Sequence, residues 1–231
     1  MDSALQSALD VFGKMHAPNR ADVLSRYRLY SDMRSDLQTA ALKNVPQSSI
    51  LGHAKRIGLS DGKVLFTDDQ IELTLVFDLA VYTAKPGRTR AIDRLARRRL
   101  ATAAPSEALV LSGLCESRFS LFRVIEKPEP VGILLEDLLR RQEVWLLDNG
   151  LERSAETGAI FAMRIARIET FMMTCGAVVP LDSAIVEELI AYLEDGVTGL
   201  DFAALANDSR FATSIYELAI ELDLMSLVAY R

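Results

Sequence analysis

The sequence predicts an α+β protein: a helical N-terminal region, a small five-stranded antiparallel barrel-like module, and C-terminal helices packing back. Two observations carry this. Apolar residues recur at helical spacing through the first half and again through the last fifty residues, while residues 118–181 switch to alternating, β-branched and aromatic runs. Half of the 231 residues are hydrophobic and a quarter are charged, so a sizeable core is expected. The predicted divisions are 1–117, 118–181 and 182–231.

Each helix has its own signal. Leu5, Leu9 and Phe12 share a face of a short opening helix, which His16-Ala17-Pro18-Asn19 interrupts. Asn19 is placed to cap a longer helix, on which Leu24, Tyr27, Leu37 and Ala41 form an apolar stripe. Pro46 ends that helix, because the residue before a proline is pushed out of the α region. Ser48 or Ser49 is then expected to cap a helix over 50–59. Thr67-Asp68-Asp69 offers a cap and first-turn negative charge to an almost wholly apolar helix over 71–82, the buried centre of this region. Lys85-Pro86-Gly87 terminates it. Thr89 is expected to cap the next helix, and Pro105 starts another that runs to about 117.

The strands read as FSLFRVIEK, GILLEDL, EVWLLD, AIFAMRIARI and TFMMTCGAVV, separated by KPEP, LRRQ, DNG and the single charge Glu169. Asn149-Gly150 is a two-residue hairpin signal. Beyond them, Ile185, Val186, Leu189, Ile190 and Leu193 line one helix face, which DGVTG stops. Phe211, Ile215, Leu218, Leu222 and Met225 follow at spacings of four, three, four and three, a seam for another helix. At two heptads this seam suits docking within the fold.

Several function classes are disfavoured. The most apolar runs, 71–81 and 160–179, are interrupted by Asp78 and by Arg164, Arg167 and Glu169, so neither reads as a membrane span. The N-terminus MDSALQSALDVFGK lacks the pattern of a secretory signal, and cytoplasmic residence is expected. Cys115 and Cys175 lie sixty residues apart in apolar runs and read as small buried hydrophobes. His16 and His53 have no second ligand at metal spacing, so no metal site and no cofactor are expected. His53 reads as a half-buried packing residue. No catalytic triad pattern and no phosphate-cradling glycine motif is present, and the protein is expected not to be an enzyme.

Charge is unevenly spread on a chain of net −6. Residues 1–101 hold sixteen Lys/Arg against eleven Asp/Glu, whereas 182–231 hold two against ten. The basic content peaks in KPGRTRAIDRLARRR, 85–99, with seven cations and one acid. At about 100° per residue, Arg90, Arg94, Arg97 and Arg98 fall on one side of a helix, opposite Ala91, Ile92, Leu95 and Ala96. Arg99 falls within the apolar arc and must bend away, pair or fray. The C-terminal arginines also complement the helix dipole, by ~0.3–1 kcal/mol.

Residues 50–182 resemble the body of uncharacterised bacterial proteins, some of which carry a C-terminal SEC-C zinc motif. The similarity rests on IGLSDGKVLFTDDQIELTLVFDLAVYTAKPGRTRAIDRL, FSLFRVIEK, GILLEDLLRRQEVWLLD and GAIFAMRI. Phe77-Asp78-Leu79 and Gly87-Arg88-Thr89 look like that group's helix element and turn, and the later strand pattern matches 135–144. The resemblance implies a helical body with a small β-module and no active site. This chain lacks the Cys/His tail, so no zinc role follows.

Two functions are expected from these patterns. The first is a non-enzymatic cytoplasmic interaction or adaptor protein that binds another protein or itself, motivated by the charge asymmetry and the C-terminal seam. The alternative is a nucleic-acid-associated protein that uses Arg90, Arg94, Arg97 and Arg98 on phosphates. No membrane partner is expected.

Overall fold

A computed structural model describes residues 19–227 except 86, 195–201 and 209. Helix α1 (Arg20–Leu42) starts where predicted: the Asn19 side chain accepts from the Ala21 N–H at 3.0 Å. Tyr27, Leu37 and Ala41 are buried along it. Helix α2 (Gln47–Arg56) starts earlier than expected. Pro46 occupies the N-cap, so Ser48 and Ser49 sit inside the first turn and neither caps it. Helix α3 (Gln70–Tyr82) is capped by Asp69, whose carboxylate accepts from the Ile71 N–H at 2.7 Å. It packs against α1, α2 and, further on, against the sheet, and Leu75, Val76 and Leu79 are fully enclosed.

Helix α4 (Ala91–Arg99) starts one residue later than predicted, because Arg90 stands at the N-cap in place of Thr89. Its apolar face, Ala91, Ile92, Leu95 and Ala96, is buried against α1, α3 and α5 (Pro105–Cys115) as the spacing required. The expected opening helix around Leu5, Leu9 and Phe12 lies outside the described residues, as does the stop at 195–199.

All five predicted strands are present: β1 (Arg118–Glu126), β2 (Ile133–Asp137), β3 (Gln142–Leu147), β4 (Ile160–Ile168) and β5 (Phe171–Leu181). They pair in the order β1–β2–β3–β5–β4, and β4 returns to β1, so the single sheet closes on itself. Phe122, Val124, Ile133, Leu135, Val144, Leu146, Met163 and Ile165 alternate along the strands and fill its interior.

Two expectations about this module are corrected. The sheet is mixed, because β3 runs parallel to β5. Asn149-Gly150 forms no hairpin but opens a short helix, α6 (Asn149–Ser154). The Asp148 carboxylate accepts from the Gly150 and Leu151 N–H groups at 2.9 and 3.0 Å, which turns a hairpin signal into a helix cap. A connection longer than a hairpin also suits the chain path, because β3 and β4 are not neighbours and β5 pairs between them. The true tight turn is β4–β5, where Glu169 takes φ 54°.

Three helices follow: α7 (Ser183–Glu194), α8 (Phe202–Asn207) and α9 (Phe211–Glu221), then a 3-10 turn over Leu224–Leu227. The seam docks within the fold. Phe211, Ile215 and Met225 are buried, in a cluster with Leu75, Leu79 and Phe119, whereas Leu222 is 51% exposed. Among the described residues, no helix is long and apolar enough to cross a membrane.

Candidate functional site: a basic cleft between α2 and α4

A cleft of about 720 Å³ opens between the start of α2, the end of α3 and the segment leading into α4. Its position follows from local chemistry. Pro46 stops α1 and redirects the chain, while Thr83 leaves the helical region at φ −114°, ψ 158° and ends α3. The two breaks leave a gap that no large side chain fills. The walls there are small: Gly52, Ala80, Ala84 and Ala91.

The charged lining is one-sided. Arg56, Lys85, Arg88 and Arg94 line the cleft, with His53 beside them, and no Asp or Glu is among the described lining residues. Arg56, Lys85 and Arg88 are exposed, and the hydroxyls of Ser48, Ser49 and Thr89 add neutral polar groups, whereas that of Thr83 donates to the Leu79 carbonyl at 2.6 Å. Four cations around one concavity repel one another, and an anion entering it relieves that repulsion.

The four arginines picked out by helical spacing meet different fates. Arg90 is consumed structurally: its guanidinium holds Asp93 through two bonds of 2.8 and 2.7 Å and donates to the Cys115 carbonyl at 2.5 Å, tying the start of α4 to the end of α5. Arg94 is half-buried, donates to the Thr89 carbonyl at 2.6 Å and lines the cleft. Arg98 reaches the Arg94 carbonyl and Asn44 Oδ1, both at 3.2 Å, bracing α4 against the end of α1. Arg97 is exposed on the outer surface. The structure therefore places one of the four in the cleft. Arg99 pairs with Glu107 of α5 at 3.3 Å.

The missed cleft residues were visible only in part. Lys85 and Arg88 belong to the same basic run, but they sit in the connection before the helix, where a helical wheel does not apply. Arg56 and His53 come from α2, and their approach depends on the Pro46 bend. The acidic C-terminal helices make their described pairs elsewhere, Glu187 with Arg123 and Glu194 with Arg141. Those partners lie on the β-module, not on α4.

Residues 21–213 match a family of unknown function, DUF7986. The chain belongs to this family. The DUF7986 match runs from α1 into the first turn of α9, so it takes in the whole cleft and all five strands. No curated protein and no solved structure matches the chain.

Within this DUF7986 member burial shifts both cysteines and His53. Burial pushes the Cys115 thiol up to about 11, with Asp93 adding to the effect, and burial pushes Cys175 up to about 12. His53 moves the other way: burial, then the Arg56 and Lys85 charges, lower it to about 4, so it is neutral near pH 7. Its Nδ1 is enclosed without a hydrogen-bond partner. Among the described residues, no group of three or more potential metal ligands is present.

The His53 shift makes stability depend on pH. An unfolded histidine takes up its proton near 6.5, whereas the folded one waits until about 4, so the unfolded chain binds more protons between these values. The neutral His53 therefore contributes stability above pH 6.5 that is lost as the pH falls toward 4. Urea unfolding of the wild type is expected to lose more free energy between about pH 7.5 and about pH 5 than unfolding of His53→Gln does. Equal losses in the two proteins would show that His53 titrates normally.

Proposed function

We propose that this protein binds a phosphate-bearing anionic ligand in the α2–α4 cleft, and that it works by binding rather than by catalysis. The carrying observation is the lining itself: Arg56, Lys85, Arg88 and Arg94 around one cavity, with no carboxylate among the described lining residues. Three of the four cations are exposed, so the attraction is the summed pull of several charges on one anion and is screened by salt. The raised thiols and the neutral His53 supply no activated nucleophile, which favours the binding reading. The seam that suggested a helical partner is occupied by the protein's own core, which removes one motive for a protein-binding role.

The test is calorimetric titration with inorganic phosphate and pyrophosphate at low and moderate salt. Affinity is expected to fall steeply as salt rises. Arg56→Ala and Arg88→Ala, both exposed side chains, are each expected to weaken binding by about tenfold, the effect of losing one charge-assisted hydrogen bond. Absence of binding by either anion at low salt would sink the proposal, as would affinities unaffected by both substitutions.

A further inference from the structure

Resting on the reading above, we infer that the ligand is a compact oligophosphate, meaning inorganic pyrophosphate, a longer chain or a small ester with two or more phosphates. It is held by those phosphates and not by an attached base.

Charge sets the number of phosphates. The lining presents four permanent cations, Arg56, Lys85, Arg88 and Arg94. A single phosphate group carries at most about two charges near neutrality and would leave half of the cluster unmatched. Two or three linked phosphates neutralise it. His53 adds a reserve. It lines the same cleft as Arg56 and Lys85 with an enclosed, unpartnered Nδ1, and a dense negative ligand offsets the part of its lowered pKa that their charges cause.

The walls set what accompanies the phosphates. Recognition of a base, or of a single nucleic-acid strand, relies on aromatic rings on which bases stack, each worth roughly 1–3 kcal/mol. Among the described residues, no Phe, Tyr or Trp lines this cleft; its apolar surface is Val45, Pro46, Gly52 and alanines. The polar remainder is rich in hydroxyls, which suit phosphate oxygens. About 720 Å³ leaves room for two or three linked phosphates.

The experiment compares orthophosphate, tripolyphosphate, adenosine triphosphate and a single-stranded oligonucleotide by calorimetry with the full chain at one fixed salt. Tripolyphosphate is expected to bind about a hundredfold more tightly than orthophosphate, from two further charge-assisted contacts. Adenosine triphosphate is expected to stay within about threefold of tripolyphosphate, because no ring meets the base. Near pH 6, titration in two buffers of different ionisation enthalpy is expected to reveal proton uptake that His53→Gln reduces. Equal affinity for orthophosphate and tripolyphosphate would overturn the inference and leave the phosphate reading standing. An adenosine triphosphate or oligonucleotide affinity well above that of tripolyphosphate would overturn it in favour of nucleotide or nucleic-acid recognition. Failure of every anion to bind would overturn both.

Discussion

Asp78→Ala is expected to destabilise the protein by about 3–5 kcal/mol, because it leaves a buried guanidinium without its counter-charge. Asp78 on α3 and Arg164 on β4 are 4% and 5% exposed and meet through two bonds, Nε to Oδ1 at 2.9 Å and Nη2 to Oδ2 at 3.1 Å. The guanidinium is also sandwiched by rings, 4.8 Å from the centroid of Tyr82 and 5.7 Å from that of Phe119. Among the described residues, no second carboxylate pairs with it. The Tyr216 hydroxyl is buried beside the pair, and burial together with Asp78 raises its pKa well above the usual tyrosine value. At this chain length the loss corresponds to a fall in Tm of roughly 6–20 °C.

The pair is a device for position more than for stability, and a double replacement separates the two. Removing both charges with apolar residues of similar volume, Asp78→Leu with Arg164→Met, is expected to cost less than Asp78→Ala alone. Arg164→Met is also expected to cost less in mild acid than at neutral pH, since a buried carboxyl can escape its charge by taking up a proton. A guanidinium has no such escape. Chemical unfolding of the three variants at two pH values decides the matter. A cost below about 1 kcal/mol for Asp78→Ala would mean that the pair is solvated, as surface pairs are.

The same two residues show how far the sequence could be read. Asp78 and Arg164 entered as the charges that break two apolar runs and so disqualify them as membrane spans. An acid within one apolar run and an arginine within another are also a signal that the runs pack together with the charges paired. That reading needs one assumption about which segments meet, and periodicity within a segment cannot supply it. The limit recurs at the cleft. Helical spacing placed the buried face of α4 correctly, because burial of Ala91, Ile92, Leu95 and Ala96 depends on that helix alone. It could not say that Arg90 would be spent on Asp93 and Cys115, or that Arg56 would arrive from α2. Strand positions were legible for a similar reason, being local alternation. The parallel β3–β5 pairing was not, since it joins two segments separated along the chain by α6 and β4.

Gly113→Ala is expected to destabilise by about 3 kcal/mol, although the same exchange in an open helix stabilises by up to ~1 kcal/mol. Helix α5 runs so close to β4 at this point that an added Cβ would stand 2.3 Å from the Arg167 carbonyl oxygen and 2.6 Å from Ile168 Cδ1. The side-chain methyl could turn away, but the carbonyl belongs to strand backbone that pairs with β5 at this point, Arg167 opposite Met172, within a closed sheet. The helix must therefore shift, and with it Val110, Leu111 and Leu114, all buried in the cluster that joins α1, α4 and α5 to the sheet. Gly52 in α2 supplies the control within the same chain: a Cβ added there would meet nothing within 4 Å, so Gly52→Ala keeps only the propensity gain. Urea unfolding of both variants is expected to move the midpoint in opposite directions. A Gly113→Ala midpoint at or above that of the wild type would show that α5 leaves room for a side chain against β4, and would remove the close helix–strand approach as the reason for a glycine there.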